Sequence, residues 1–389
     1  MRFEKFHWRY YFGGIALLLL CLQLLIGIFL TLFYQPHLAE AYLSVQGFYK
    51  NWDVPVGAWL RDGHRWGAFF LFFVLVIHVV RSLLRKDFLN FEARSRIIWI
   101  TGGLLLLPMG ALLLTGFILP WEWKGYWWME MIANYFGFIP YIGPSLQQFL
   151  IDAFTMNRNF VAHVVILPVI SIVLLDLHIF SKVRKRKGGI PRYLLRHMLL
   201  SVPFIIIIAA LAVYLPMPTA DPEMIPTPLE GEKIPMPEWF LLIFFVPFMH
   251  FKDAMASFLG IYLAFALYLG LTFLPYFFKR SAEKTEKHEP GGDIVFKEFR
   301  HVLGNMLKIG FMRKLVGFLT VFLAAGTLFG FLYYETYASP TLGCNSCHNI
   351  AMGSGIGSPP DNFKDRSKEP KLDNSVWMIE HWFYPQQAW

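Results

Sequence analysis

Four histidines are the residues whose spacing points most clearly to chemistry. His64 and His78 are 14 residues apart in one apolar run, and His163 and His178 are 15 apart in another. At 1.5 Å and 100° per residue, either spacing is about four helical turns, so each helix carries two imidazoles roughly 21 Å apart on nearly one face. An imidazole facing hydrocarbon is costly, so intramembrane histidines tend to be buried against partners or to serve a site.

Two matched pairs fit two haems, each held by two imidazoles, better than four separately packed histidines. Because the second and fourth apolar segments are expected to begin on the same side, we pair His64 with His163 at an outer haem iron and His78 with His178 at an inner one. With both axial positions filled, neither iron has a site for substrate. The pattern therefore predicts two electron-carrying haems.

A second motif lies near the end of the chain. The stretch GCNSCHNIAM contains Cys344, Cys347 and His348 in the spacing CxxCH, which is typical of covalent c-type haem attachment. We expect both cysteines to form thioethers and His348 to be the proximal iron ligand. The distal ligand stays open among Met352, Met378 and His381, with the later two slightly preferred.

Glycines repeat at the same interval as the histidines. Gly13 and Gly27 are 14 residues apart in the first apolar segment, and so are Gly102 and Gly116 in the third. A flat macrocycle between helices needs places where the backbone carries no side chain. Ordinary helix packing through small residues is the alternative for any one glycine, and the repeated interval favours the haem interpretation.

Three arginines flank the histidine positions. Arg65, Arg81 and Arg158 could pair with haem propionates, since the guanidinium fork suits carboxylates. Each could equally anchor a helix end among lipid headgroups, and the sequence leaves this open.

The composition requires a membrane setting for these residues. Hydrophobic residues make up 56% of the chain and charged residues 16%. Apolar runs long enough to cross the bilayer occur near residues 12–33, 65–84, 96–118, 160–181, 197–216, 255–277 and 313–335. We therefore predict an all-α integral membrane protein: a four-helix di-haem bundle, three further spans and a short extramembrane tail with one haem. The predicted domains are residues 1–190, 191–336 and 337–389.

Lys and Arg alternate with less basic segments along the chain. They concentrate at the N-terminus, at residues 81–86, 182–189 and 279–287, and over residues 297–308, which the positive-inside rule places in the cytoplasm. Seven spans then put the C-terminal tail on the periplasmic or extracellular side of a bacterial-type inner membrane. The net charge of +8 is explained by these loops and anionic lipid, without nucleic acid.

Residues 9–278 resemble cytochrome b of the quinol-oxidising bc complexes. The matching stretches are GHRW (63–66), HVVR (78–81), TGFILPW (115–121), GYWW (125–128), NRNFVAHVVILP (157–168) and PEWF (237–240). The 15-residue histidine spacing and the break after the fourth span resemble the chloroplast-type version, in which the b part and a three-helix part are separate chains. In this chain the two parts are fused.

The resemblance implies a quinol–cytochrome c reductase subunit. A quinol from the membrane pool would be oxidised at the outer side, one electron passing to a Rieske iron–sulfur protein and the other through two b haems to an inner quinone site, coupled to proton translocation. It implies Glu238, between Pro237 and Trp239, as the proton acceptor, although a helix cap or loop carboxylate is the alternative. Tyr126, with Trp127, would border the outer pocket or belong to an aromatic interface belt.

The chain departs from that family at two positions. Phe240 stands where the family commonly has Tyr, which removes a hydroxyl near the quinol. Tyr11 stands where chloroplast-type relatives carry the Cys of an extra inner haem, so no such haem is predicted, and Cys21 reads as a buried thiol.

A Rieske cluster needs two Cys and two His, and the chain's 3 cysteines already have other roles. The Rieske protein is therefore expected as a separate subunit, a c-type cytochrome as electron acceptor, and a homodimeric complex by resemblance. The competing hypothesis is a di-haem quinol-oxidising anchor of another respiratory oxidoreductase without bifurcation. A haem-free channel or structural bundle is a third.

Overall fold

The computed structural model describes residues 11–51, 55–90, 92–153, 155–185, 188–217, 246–251, 253–278 and 367–369, together with single helical positions at 323, 326, 327 and 330. Regular structure within these ranges is entirely helical. In chain order the helices are α1 (Tyr11–Thr31), α2 (Ala41–Lys50), α3 (Val56–Leu84), α4 (Ala93–Ile118), α5 (Trp123–Gly137), α6 (Gly143–Ala153), α7 (Met156–Val183), α8 (Gly189–Tyr214), α9 (Val246–His250) and α10 (Ala254–Thr272).

Six helices in the described ranges are long and apolar enough to cross a membrane. They are α1, α3, α4, α7, α8 and α10. Each corresponds to one of the apolar runs in the sequence, which confirms an integral membrane protein with a helical bundle. The seventh predicted span, residues 313–335, lies outside the described residues apart from the four single positions.

Side-chain contacts set the directions of the four bundle helices. His64 meets His163 and His78 meets His178, so α3 and α7 run parallel. Gly27 of α1 lies against His64, and Gly13 of the same helix lies against His78, so α1 runs antiparallel to α3. By the same reasoning α4 is antiparallel to α7. We refer to the two ends of this bundle as the His64 end and the His78 end.

The helices that do not span the bundle gather at its His64 end. α4 ends there, and α5 and α6 follow and pack on each other before α7 begins. Their contact with the bundle is an apolar core of aromatic and sulfur-containing side chains in which Trp121, Trp128, Met131, Met156 and Phe248 are almost fully buried. This cluster fixes the surface helices against the end of the bundle.

Two helix boundaries differ from the predicted apolar runs. α3 begins at Val56 rather than near residue 65, because Arg61 and Asp62 pair at 3.1 Å and are both buried, so the helix continues through two charged residues. α10 ends at Thr272 rather than near residue 277. A 3-10 turn at Leu274–Tyr276 follows it, and Pro275 within that turn has no N–H with which to continue an α-helix.

The helices beyond residue 188 pack on the four-helix bundle. α8 lies against α1 and α3, and α10 lies against α4. The turn from α7 into α8 needs Gly188 and Gly189, whose φ angles are +88° and +53°. Tyr135 of α5 donates to the carbonyl of Gly260 at 2.6 Å, which ties the first part of the chain to α10.

Basic side chains gather at the His78 end. The ends of α3 and α7 and the starts of α4 and α8 meet there. They carry Arg81, Arg85, Lys86, Arg94, Arg96, Lys182, Arg184, Lys185 and Arg192. Some of them bind neighbouring groups, as Arg184 does with Asp176 and Arg94 does with the carbonyl of Ser181.

Candidate functional site

Two pairs of imidazoles face each other inside the bundle. The ring centroids of His64 and His163 are 6.4 Å apart with 73° between the ring planes. Those of His78 and His178 are also 6.4 Å apart, with 82° between the planes. The structure thus brings together the same histidines that the spacing had paired, one pair near each end of the bundle.

The separation within each pair suits one metal between the rings. A metal–imidazole bond is about 2 Å and the ring centroid lies roughly 1.1 Å behind the nitrogen, so two opposed imidazoles on one metal have centroids roughly 6.3 Å apart. Among the described residues no group of three or more His, Cys, Asp or Glu side chains could hold a metal ion. Two axial imidazoles fit a haem, because the porphyrin supplies the remaining four ligands.

Each of the four imidazoles lies in a notch made by a glycine on the neighbouring helix. A Cβ built on the glycine would stand within 2.8–3.4 Å of Cε1 of the histidine. The four contacts are Gly13 with His78, Gly27 with His64, Gly102 with His178, and Gly116 with His163. The repeated glycines therefore make room for the histidine rings themselves, which refines the expectation that they make room for a macrocycle.

Two threonines orient the histidines of α7, and the sequence analysis missed both. Thr115 Oγ1 is 2.9 Å from Nδ1 of His163 and donates its own proton to the carbonyl of Ala111 at 2.6 Å. Its oxygen is therefore left to accept a hydrogen bond from Nδ1–H, and the backbone of Leu112 is a further partner of His163. Nδ1 therefore carries the proton, which leaves the Nε2 lone pair for a metal. The signal was present, since a Thr-Gly dipeptide occurs at 101–102 and again at 115–116.

His178 is held in the same tautomer by a second acceptor. Its Nδ1 is 2.8 Å from the carbonyl of Ile98 and 3.4 Å from Oγ1 of Thr101. A carbonyl can only accept, so Nδ1 of His178 carries the proton and Nε2 is again free to bind. Hydrogen bonds of this kind fix ring orientation and ligand basicity in metal sites.

The backbone of α7 departs from α-helical geometry at both histidines. His163 lies in a π-helical turn at Ala162–Ile166, and His178 lies in a second one at Asp176–Phe180. A 15-residue spacing on a regular helix would rotate the second ring about 60° past the first. A π-turn holds more residues per turn and takes up the extra residue. Pro168, just after the first turn, removes a hydrogen-bond donor and marks the break.

The three arginines proposed for haem propionates have different surroundings. Arg158 donates to the carbonyl of Ala153 at 2.9 Å, at the C-terminus of α6, a contact that neither the propionate nor the headgroup interpretation predicted. Arg81 lies over the ring of Phe12 at 5.9 Å. Arg65 is half-buried beside His64.

A buried polar cluster connects α3 to the end of α8 at the His64 end. Tyr49 donates to Asp62 Oδ1 at 2.5 Å, and Arg61 donates to the same oxygen at 3.1 Å and also to the carbonyl of Met217. Trp66 donates to the carbonyl of Leu215 at 3.1 Å. Residues 215 and 217 lead directly into segment 218–245. Its predicted site residues Pro237, Glu238, Trp239 and Phe240 lie outside the described residues.

α5 carries further polar groups that the sequence analysis passed over. Glu130 is fully buried and Asn134 is 1% exposed, one turn later on the same face. Gln147 of α6 donates to Asn134 Oδ1 at 2.7 Å. Tyr126, the other predicted quinol-site residue, lies on the same helix, so α5 brings it to the His64 end.

Little of the predicted c-type haem tail is described. Cys344, Cys347 and His348 and the three candidate distal ligands lie outside the described residues. Ser367–Glu369 are described, and a carboxylate oxygen of Glu369 accepts a hydrogen bond from the backbone N–H of Met156 at 2.6 Å. That contact joins residues 213 positions apart, and no local pattern could have indicated it.

Comparisons with known proteins give the following similarities. The family model described as "Cytochrome b/b6/petB" matches residues 3–186. Cytochrome b6 of Tupiella akineta is 31% identical over 182 residues, which are 46% of this chain and 82% of that protein. Cytochrome b of Cereibacter sphaeroides is 27% identical over 270 residues, which are 62% of this chain and 59% of that protein.

Among solved structures, a chain of "Hyperthermophilic respiratory Complex III" superimposes with a TM-score of 0.57 at 21% identity. The superposition covers 85% of this chain and 89% of that chain. At this level of identity the match supports the fold alone.

Proposed function

The chain belongs to the cytochrome b/b6 family, and we propose that it is the cytochrome b subunit of a complex that oxidises a membrane quinol and reduces a c-type cytochrome. The observation that carries the proposal is the arrangement of two imidazole pairs, each 6.4 Å apart and each ring in a glycine notch, at the two ends of one bundle. Membership of this family implies b-type haem, and the residues present fit it.

The histidines would supply all four axial ligands. His64 and His163 would hold one iron, and His78 and His178 the other. When bound, haem supplies one-electron redox chemistry. The 14-residue interval on α3 separates the two pairs by roughly 21 Å along the helix, so the ligand pairs mark two steps of a path across most of the bilayer. The chain would thereby carry electrons across the membrane. Neither iron would have a free position for a substrate, because histidines would fill both axial positions.

Quinol oxidation is proposed for the His64 end. Oxidising one quinol to quinone releases two protons and two electrons. Glu238, with Pro237, Trp239, Phe240 and Tyr126 around the pocket, would accept one proton, and the other would leave to the outer aqueous side. One electron would leave to a separate Rieske protein and the other would enter the di-haem bundle. The anchoring of Met217 by Arg61 supports this location, because Met217 lies at the His64 end and immediately precedes segment 218–245 in the sequence.

The C-terminal tail would carry the electron that leaves through the Rieske protein. Cys344 and Cys347 would attach a c-type haem covalently and His348 would be its proximal ligand. That haem would take its electron from the Rieske protein and pass it to a further c-type acceptor. The basic residues at the His78 end support a cytoplasmic location for that end and an inner quinone site there.

Haem analysis of the purified complex tests this function. We expect a pyridine haemochrome ratio of two b haems to one c haem per chain, a copurifying Rieske protein, and loss of quinol oxidation with analogues that bind the outer site. A b-type spectrum without a Rieske partner or such sensitivity would favour a di-haem anchor without bifurcation. Absence of b-type bands would contradict the haem assignment altogether.

The tail assignment has its own test. Cys347→Ser should abolish covalent haem staining of the chain at 45.2 kDa while leaving the two b haems in place. Persistent staining would show that attachment does not depend on CxxCH.

A further inference from the structure

Glu369 binds a backbone N–H at the start of α7 that has no partner within the helix. The first N–H groups of a helix have no partner within the helix, and a Ser, Thr, Asp or Asn at the N-cap usually accepts from one of them. At the start of α7 the N-cap residue is Thr155, whose side chain makes no such bond. The Glu369 carboxylate accepts instead from the N–H of Met156, the first helical residue.

The energetics favour this arrangement. A carboxylate at a helix N-terminus combines a charge-assisted hydrogen bond with the positive end of the helix dipole. The donor belongs to a residue whose side chain is 1% exposed and packed in the core at the His64 end, so the contact is made to a rigid part of the bundle. The residues before Glu369, Ser367 and Lys368, also take part in interactions.

We propose that Glu369 docks the C-terminal tail onto the N-terminus of α7, which anchors the tail at the His64 end of the bundle. Residues 349–368, which connect His348 to this anchor, read NIAMGSGIGSPPDNFKDRSK and contain no apolar run that could cross a bilayer. The CxxCH motif is therefore on the same side of the membrane as the His64–His163 pair.

The anchor has a consequence for electron transfer, which rests on the function proposed above. Met156 is seven residues before His163, so the docking point lies roughly 10 Å along α7 from the imidazole pair at this end. Glu369 follows His348 by only 21 residues, so the anchor keeps a c-type haem within the reach of that connection, on the side of the membrane where quinol oxidation is proposed.

Proteolysis of the full-length protein in native membranes tests the docking. Lys364, Arg366, Lys368 and Lys371 are tryptic sites around the anchor. We expect Glu369→Ala to speed cleavage at these sites about tenfold, the loss expected for one charge-assisted hydrogen bond. Glu369→Gln keeps an acceptor oxygen and should stay within about threefold of the wild type. An unchanged cleavage rate in Glu369→Ala would refute the docking.

A second pair of variants removes the donor rather than the acceptor. Proline is tolerated at the first position of a helix and lacks an N–H, and Thr155 already has the extended backbone that a following proline requires, with φ −69° and ψ 163°. Met156→Pro should therefore release the tail as Glu369→Ala does, whereas Met156→Leu, which also changes the buried side chain, should not. Equal cleavage rates in the two variants would contradict the contact.

Thr155→Asp separates docking from helix stability. An aspartate at this N-cap accepts from the N–H of Asn157 or Arg158 rather than from that of Met156, and its negative charge repels the Glu369 carboxylate, so the bundle should keep its b haems while the tail becomes more sensitive to trypsin. Loss of b haem together with unchanged tail protection would contradict the proposal. Because cleavage is measured without reference to haem, a failure of docking is distinguishable from a failure of the proposed function, which the haem ratio reports.

Discussion

Gly102 of α4 and His178 of α7 are in such close contact that a Cβ on the glycine would stand 2.8 Å from Cε1 of the imidazole. Atoms at that separation overlap, so one of them has to move. The equivalent distances are 3.0 Å for Gly13, 3.1 Å for Gly116 and 3.4 Å for Gly27. The four notches therefore differ in how much added volume they tolerate.

This gradation predicts the outcome of four alanine substitutions. Gly102→Ala should displace His178 and lower b-haem content most, Gly13→Ala and Gly116→Ala less, and Gly27→Ala least. The measurement is the reduced-minus-oxidised b-band amplitude per chain. Gly110→Ala is the matched control on α4, because its added carbon has no described neighbour within 4 Å apart from the adjoining backbone of its own helix. Equal losses in all five variants would show that helix flexibility, not ring contact, is responsible.

The hydrogen bond from His163 to Thr115 predicts a second effect. Thr115→Val keeps the shape of the side chain but removes the oxygen that accepts from Nδ1, 2.9 Å away. Loss of such an orienting partner typically weakens metal binding about 10–100-fold. We expect faster b-haem loss on detergent titration and a shifted midpoint potential for the haem at the His64 end, with Thr115→Ser near the wild type.

Thr101→Val is the comparison within the same chain. Its oxygen is 3.4 Å from His178, whose Nδ1 also has the carbonyl of Ile98 at 2.8 Å. Each histidine keeps a backbone partner in its variant, Ile98 for His178 and Leu112 for His163. The expected difference therefore comes from the hydroxyl distance, 3.4 Å at Thr101 against 2.9 Å at Thr115, and Thr101→Val should have the smaller effect. A larger effect at Thr101 would contradict the assignment of these roles.

Much of the site was predictable because it is periodic. Intervals of 14 and 15 residues place the histidines and glycines on helix faces, and apolar runs mark the spans. The Thr-Gly repeat carried the same kind of signal and was not used. The sequence shows that the histidines of α7 are 15 residues apart rather than 14, but it does not show how the helix accommodates the extra residue. The π-turns that do so are a property of the local backbone.

Other features depend on contacts between distant residues and leave no local pattern. The helix α3 begins about nine residues before the predicted apolar run, because the run excludes the charged residues Arg61 and Asp62. Their contacts with Tyr49 and Met217 make both residues part of the buried helix. The contact of Glu369 with Met156 is of the same kind. The charge and periodicity of a segment do not reveal a hydrogen-bonding partner that lies on another helix.

The Arg61–Asp62 pair predicts a large loss of stability when it is broken. Both side chains are buried, so Asp62→Ala leaves a guanidinium without its carboxylate, which typically costs about 3–5 kcal/mol. We expect the Tm in detergent to fall by roughly 5 °C or more. Arg184→Ala is the control, because it removes an exposed pair with Asp176 and should cost less than about 1 kcal/mol. A Tm drop no larger than the control's would be incompatible with a buried pair.

The bond from Tyr135 to the Gly260 carbonyl predicts how the junction between α5 and α10 responds to pH. Burial raises the pKa of Tyr135 to about 12, so the neutral phenol that donates this bond is favoured in the folded protein. Its contribution is fully present below the ordinary tyrosine pKa of about 10 and is lost as the pH rises toward 12.

Tyr135→Phe should therefore lower the free energy of unfolding by about 1 kcal/mol with no pH dependence between pH 6 and pH 9, and the difference from wild type should shrink only above about pH 10. Thermal unfolding at several pH values measures this. Tyr141→Phe is the control, since Tyr141 is fully exposed at the loop before α6 and its hydroxyl makes no described bond in this part of the chain. A Tyr135→Phe difference that already varies between pH 6 and pH 9 would mean that another group titrates at this junction.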